Sequence, residues 1–392
     1  MDTPAIPDDS RWLTPADCDL AALSAVVEQD TNLDDYPYAD AVEDNIVVYD
    51  KRVWDEADRR AVQSELVRVL ADGPGVVVFR GAFEREVIER ATAVFTALLA
   101  EQEAGGGASG DHFAAPGTNA RVWGALDKLA VRDPEVFVDY YANDVLALAA
   151  EAWLGPGYRV TSQVNLVRPG GQAQVPHRDY HLGFMDRERA LAFPAHLHAL
   201  SPALTLQGAV AHVDMPAETG PTLYLPHSQK FTAGYVAWHD PDVAAYFERH
   251  RVQPALTAGD AAFFNPAVLH GAGTNTSTGV MRMANLLQVS CAFGRPMETV
   301  DSVAACLAVF PVLAARWAVG TPDRAVGNVV AAAADGYPFP TNLDRDQPVS
   351  GPTPPTQADW LWRAIREGWD PGRLHAELTA QTFRRQASPS GG

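Results

Sequence analysis

Five short apolar runs, Tyr158–Val167, Leu204–Val213, Thr222–Leu225, Ala261–Phe264 and Met283–Phe293, follow one another with Gly and Pro turns between them. No regular helical segments alternate with these runs. That argues against a parallel α/β sheet, in which every strand pair needs a long crossover. The series predicts an antiparallel sandwich or barrel. Helical spacing of apolar residues appears on either side: Trp54–Leu70, Glu84–Glu103 and Pro134–Trp153 before it, 299–319 and 357–385 after it. Val76-Val77-Val78-Phe79 adds one buried strand between the first two helices. With no internal repeat and no dividing linker, the expected organisation is a partly irregular acidic arm over 1–50 and a single domain over 51–392. That domain comprises a helical part (51–157), a β-sandwich core (158–295) and C-terminal helices (296–392).

Charge narrows the partners. The chain carries 30 basic and 49 acidic residues, a formal net charge of −19. A polyanion is repelled by nucleic acid and by acidic membrane surfaces, so neither is an expected partner. Residues 1–50 hold 13 of the acids and one base, Arg11, so the acidity says little about any active site. Three scattered cysteines, Cys18, Cys291 and Cys306, supply neither a disulfide framework nor a thiolate zinc site. The Asp- and Pro-rich opening has no apolar segment of a secretory signal. Val303–Ala315 is shorter than a bilayer span and contains Pro311. The expectation is a soluble cytoplasmic protein, monomer or homodimer.

The histidines carry the chemistry. His177-Arg178-Asp179 follows the Pro169-Gly170-Gly171 turn, and Pro176 disfavours helix there. At i and i+2 of an extended segment, the imidazole and the carboxylate face the same way and can share one cation. His270, just after the run Ala261–Phe264, offers a third ligand. Two His and one carboxylate form the facial triad suited to non-haem Fe(II), with positions left open for co-substrate and oxygen. Arg282, 12 residues beyond His270, can hold a dicarboxylate because its planar fork makes two parallel hydrogen bonds. His212-x-Asp214 repeats the spacing without a following Arg, and His196-x-His198 lacks a nearby acid. Both are ranked below His177 and Asp179.

From Gln163 to Val289 the chain resembles the phytanoyl-CoA dioxygenase-like family of Fe(II)/2-oxoglutarate oxygenases. The matching pieces are Val164-Asn165-Leu166, Pro169-Gly170, His177-Arg178-Asp179, Glu218-Thr219-Gly220-Pro221-Thr222-Leu223, Leu225-Pro226-His227-Ser228, Ala258-Gly259-Asp260 and His270-Gly271-Ala272-Gly273-Thr274-Asn275, with Arg282. The resemblance implies a mainly β core with flanking α-helices, folded as a double-stranded β-helix (jelly roll, cupin-like). It implies Fe(II) on His177, Asp179 and His270, 2-oxoglutarate on Arg282 with Asn165 and Thr274, and O2 as oxidant. Two departures stand out. Arg178 occupies a position where the family often has Gln, and Ala272 one where it often has Ser. Asp179 argues against the halogenase variant, in which a small residue leaves room for chloride.

The implied activity is a dioxygenase that hydroxylates a small-molecule substrate and releases succinate and CO2. The alternative is a non-redox metal-dependent hydrolase or isomerase on a cupin-like fold. Candidate substrate residues are His112 and Arg121, which follow the glycine-rich run 105–110 and could belong to a lid, and Arg178 and Tyr180 beside the ligands. With only Lys51, Lys128 and Lys230 as lysines and its arginines dispersed, the chain has no basic patch suited to the phosphates of CoA.

Overall fold

In the computed structural model, which describes residues 11–55, 57–105, 117–179, 185–348 and 351–387, ten strands form two sheets. They are β1 (Ala41–Glu43), β2 (Ile46–Tyr49), β3 (Val76–Phe79), β4 (Asn119–Val122) and β5 (Arg159–Val167), then β6 (Thr205–Ala211), β7 (Thr222–Leu225), β8 (Ala261–Phe264), β9 (Leu269–Ala272) and β10 (Arg282–Ser290). The large sheet runs β1-β2-β3-β8-β6-β10-β5-β4, and β7 pairs with β9 in the small one. Every pairing is antiparallel except β2 with β3, whose crossover contains the helix Arg59–Ala71. Isolated bridges, His177 with His270 and Tyr224 with Val252, widen the small sheet to four chain segments. Two facing sheets of this kind make a double-stranded β-helix.

Strand alternation explains why helices cover only one face. On β3, Val77 and Phe79 join the helix-side core, whereas Val76 and Val78 pack inward with Val268 and Tyr224. On β8, Phe263 faces the helices and Phe264 faces inward, its ring 5.1 Å from that of Tyr224. Toward β5 the inward positions become polar: Gln163, Asn165, Gln207 and Arg282. Apolar residues on both faces of β2, β3 and β8 hold the sheet, and the polar inner face at β5, β6 and β10 is left for chemistry.

The acidic arm does not stay irregular to residue 50. β1 and β2 form a hairpin over Asp44-Asn45, whose φ values of +49° and +64° suit a two-residue turn of type I′. This hairpin extends the large sheet. The helical part 51–157 likewise contributes β3 and β4 to it. The helix expected over 134–153 is two, Pro134–Tyr141 and Asp144–Leu154, because the Asn143 side chain caps a new start at Leu146 N. That expected over 357–385 is broken at Gly368, φ +64°, and restarts with Pro371 in its first turn. No described helix is long and apolar enough to cross a membrane.

Candidate active site

A backbone pairing brings the first two candidate ligands together. His177 N–H donates to His270 O at 2.9 Å and His270 N–H to His177 O at 3.0 Å, so the rings sit with centroids 4.5 Å apart. Each Nδ1 lies beside a carbonyl two residues back: Val175 O at 2.8 Å for His177, Val268 O at 2.9 Å for His270. A carbonyl accepts only, so Nδ1 carries the proton and Nε2 is left with a lone pair. Both Nε2 atoms turn toward Asp179, 3.9 Å from Oδ1 and 3.8 Å from Oδ2 respectively. Ligand atoms of the three residues lie within 4.8 Å of one another, the only such cluster among the described residues. Burial, together with the neighbouring His177, lowers the His270 pKa to about 4, keeping the imidazole neutral.

Two loose ends mark what this cluster is built for. Asp179 is 7% exposed, and its Oδ1 has no hydrogen-bond partner among the described residues. A buried carboxylate oxygen of this kind is costly without a cation. Two imidazole nitrogens and one carboxylate oxygen fit a first-row divalent metal such as iron. At the other end of the site, the buried Arg282 guanidinium meets, among the described residues, the carbonyl oxygens of Gly273 at 3.2 Å and Thr219 at 3.4 Å. Burial lowers its pKa to about 10, and it has no acidic partner among the described residues. Those two carbonyls meet because the chain crosses itself at Gly220 and Gly273. Gly220 has φ +74°, and a Cβ there would strike the Gly273 and Thr274 carbonyls. The Glu218-Thr219-Gly220 motif thus serves to seat Arg282.

Between the ligands and Arg282 lies a cavity of about 350 Å³. Asn165 lines it from β5, 8% exposed, with Oδ1 lacking a partner among the described residues. Arg121 lines it from β4, directly opposite Asn165 in the ladder. Its Nη1 donates to Gln163 Oε1 at 3.0 Å, and its guanidinium carbon lies 4.8 Å from the Trp123 ring centre. His177, Asp179, His270, Arg282, Asn165 and Arg121 therefore converge.

Other expected residues do not. Arg178 is turned away from the cavity and is 1% exposed, bonded to Phe231 O at 2.8 Å and to Ser228 O. The reason is the alternation that brings His177 and Asp179 together: the residue between them faces the opposite side. Thr274 does not line the cavity either; its hydroxyl accepts from Ala173 N–H at 3.0 Å. His112 and Tyr180 lie outside the described residues. His212 is buried on the helix side between Thr92 Oγ1 (2.8 Å) and Tyr140 Oη (3.1 Å), while Asp214 takes the Ala258 N–H. His196 is exposed and His198 buried, forming no cluster. Sequence reasoning missed Gln207, whose Nε2 donates to Asp179 Oδ2. Its signal was a polar residue at an inward position of the apolar run that became β6.

A model of the family described as phytanoyl-CoA dioxygenase (PhyH) matches residues 71–284. A comparison with curated protein sequences finds no match. Solved structures similar to the chain include the non-heme α-ketoglutarate-dependent epimerase SnoN from nogalamycin biosynthesis. It is 20% identical with a TM-score of 0.39, over 61% of this chain and 87% of that one. The non-heme α-ketoglutarate-dependent carbocyclase SnoK from nogalamycin biosynthesis is also similar, at 19% identity and TM-score 0.44, over 63% of this chain and 90% of that one.

Proposed function

Because the chain belongs to the phytanoyl-CoA dioxygenase family, we propose that His177, Asp179 and His270 hold its Fe(II), and that it hydroxylates a small molecule. It is a 2-oxoglutarate-dependent iron enzyme that uses O2. Iron and 2-oxoglutarate, when bound, supply oxidative decarboxylation to succinate and CO2 and the oxidising power that removes a substrate hydrogen. The chain's own residues orient these partners. The carbonyls of Val175 and Val268 keep Nδ1 protonated and Nε2 available. Asp179 adds the anionic oxygen that makes a divalent cation welcome at a buried position.

Arg282 binds the distal carboxylate of 2-oxoglutarate, and the Thr219 and Gly273 carbonyls hold its guanidinium at the cavity wall. Asn165 adds a hydrogen bond to 2-oxoglutarate, and Arg121 faces the remaining space, where the substrate sits. Apolar walls from Leu256, Phe264 and Leu286 reduce water access to the reacting atoms.

The observation that carries this reading is the buried guanidinium of Arg282, in the same cavity as the ligand cluster and without an acidic partner among the described residues. A hydrolase or isomerase on the same fold would not need Arg282 as a clamp for a dicarboxylate co-substrate. The test is a screen for succinate formation from 2-oxoglutarate with Fe(II) and O2 against a panel of small metabolites, with product mass spectrometry. Stimulated succinate and a product one oxygen heavier support hydroxylation. Stimulated succinate with an isomeric or hydrogen-depleted product keeps the oxygenase and overturns hydroxylation.

A further inference from the structure

Gln207 lies on β6, between β8 and β10, at an inward position opposite Phe264 and Gln288. It is 4% exposed and lines the cavity. Its Nε2 donates to Asp179 Oδ2. This orientation of the amide is chemically fixed, since a carboxylate oxygen accepts and the amide nitrogen donates. The two oxygens of Asp179 are thereby made different. Oδ2 is taken by the amide, while Oδ1 has no partner among the described residues. The bond also spans the two sheets. Asp179 stands on the edge segment of the small sheet, held there by its N–H to Pro266 O at 3.1 Å, whereas Gln207 stands on a central strand of the large one.

The other end of the amide argues against a packing role. Gln207 Oε1 is buried with no hydrogen-bond partner among the described residues. An apolar side chain of similar size would fill the space without stranding an oxygen. Keeping a glutamine here makes sense only if its donor is needed.

We infer that Gln207 is a positioning residue for the metal centre: its bond to Asp179 Oδ2 presents Oδ1 to the cation and keeps the carboxylate from turning or binding through both oxygens. One-oxygen binding preserves the open positions that 2-oxoglutarate and O2 require. The inference rests on the assignment of His177, Asp179 and His270 as the ligands.

The test uses Co(II) as the probe, titrated into the full chain and followed by its visible ligand-field absorption. Q207L and Q207M remove the donor while keeping bulk, and circular dichroism checks that each is folded. Loss of a hydrogen bond to a ligating carboxylate lowers metal affinity by about 10- to 100-fold, and the absorption at saturation should change shape. Two variants are used so that misfolding of one leaves the other to decide. If both bind Co(II) with wild-type affinity and the wild-type spectrum, Gln207 has no positioning role. D179A separates this failure from a deeper one. If D179A loses Co(II) while the Gln207 variants do not, only the present inference falls. If D179A binds as the wild type does, the ligand assignment falls with it.

Discussion

Arg282→Ala removes a guanidinium that is buried and has no acidic partner among the described residues. The depression of its pKa to about 10 by burial corresponds to about 3 kcal/mol of desolvation cost. A bound carboxylate offsets this cost, which is why the site should prefer a dianion reaching it from the metal. Truncating one partner of such a buried charge pair costs about 2–5 kcal/mol of binding, or about 30- to 4,000-fold in affinity at roughly 1.4 kcal/mol per decade. The stability of the ligand-free chain should change much less. Removing the buried charge relieves desolvation, while the Thr219 and Gly273 carbonyls lose a donor and a small cavity opens. The assay is calorimetric titration of 2-oxoglutarate into Mn(II)-loaded protein, beside thermal denaturation of the free protein. The expected result is a collapse of 2-oxoglutarate affinity with a near-native melting temperature. Arg282→Lys should recover only part, because a point charge cannot reproduce the two parallel hydrogen bonds. Unchanged 2-oxoglutarate affinity in Arg282→Ala would refute the clamp.

Gly234→Ala places a Cβ against the Arg178 guanidinium, whose displacement breaks its bonds to Ser228 O and Phe231 O. At roughly 1.5–3 kcal/mol for each hydrogen bond to a charged group, the unfolding midpoint should fall by several degrees in thermal denaturation; an unchanged midpoint would remove Arg178 from the fold's supports. Acid should also destabilise the protein through His212. Full burial lowers its folded pKa from 6.5 to about 3, so below pH 6.5 the unfolded chain binds a proton that the folded one refuses. Its contribution is complete above pH 6.5 and is lost as pH falls toward 3, amounting to about 2 kcal/mol at pH 5. Urea unfolding at pH 7 and pH 5 should show this loss, and His212→Gln should reduce the difference by that amount; equal pH dependence in the two proteins would contradict the assignment.

How much of this was legible in the sequence varied with the kind of signal. Thr222–Leu225 and Ala261–Phe264 were readable to the residue because turns of Gly and Pro bound short apolar runs. The β1–β2 hairpin was hidden by the acids and prolines around it, although Asp44-Asn45 between Ala41–Glu43 and Ile46–Tyr49 is a turn signal. His177 and Asp179 were legible only as one of two His-x-Asp pairs, and it was the family resemblance, with His270 and Arg282, that ranked them above His212 and Asp214. Arg178 was misread through adjacency: strand alternation, which justified pairing His177 with Asp179, also turns Arg178 away. Gln207 was invisible as a partner of Asp179, since only the closure of two sheets brings β6 to the ligand segment.

Anaerobic addition of Fe(II) and 2-oxoglutarate tests the central claim most directly, because a keto acid chelated to Fe(II) gives a visible charge-transfer absorption without any knowledge of the substrate. The wild-type chain should show this band, with 2-oxoglutarate saturating it, and His270→Ala should abolish it while circular dichroism remains native. A band that persists in His270→Ala, or fails to form in the wild type, would contradict the proposed centre.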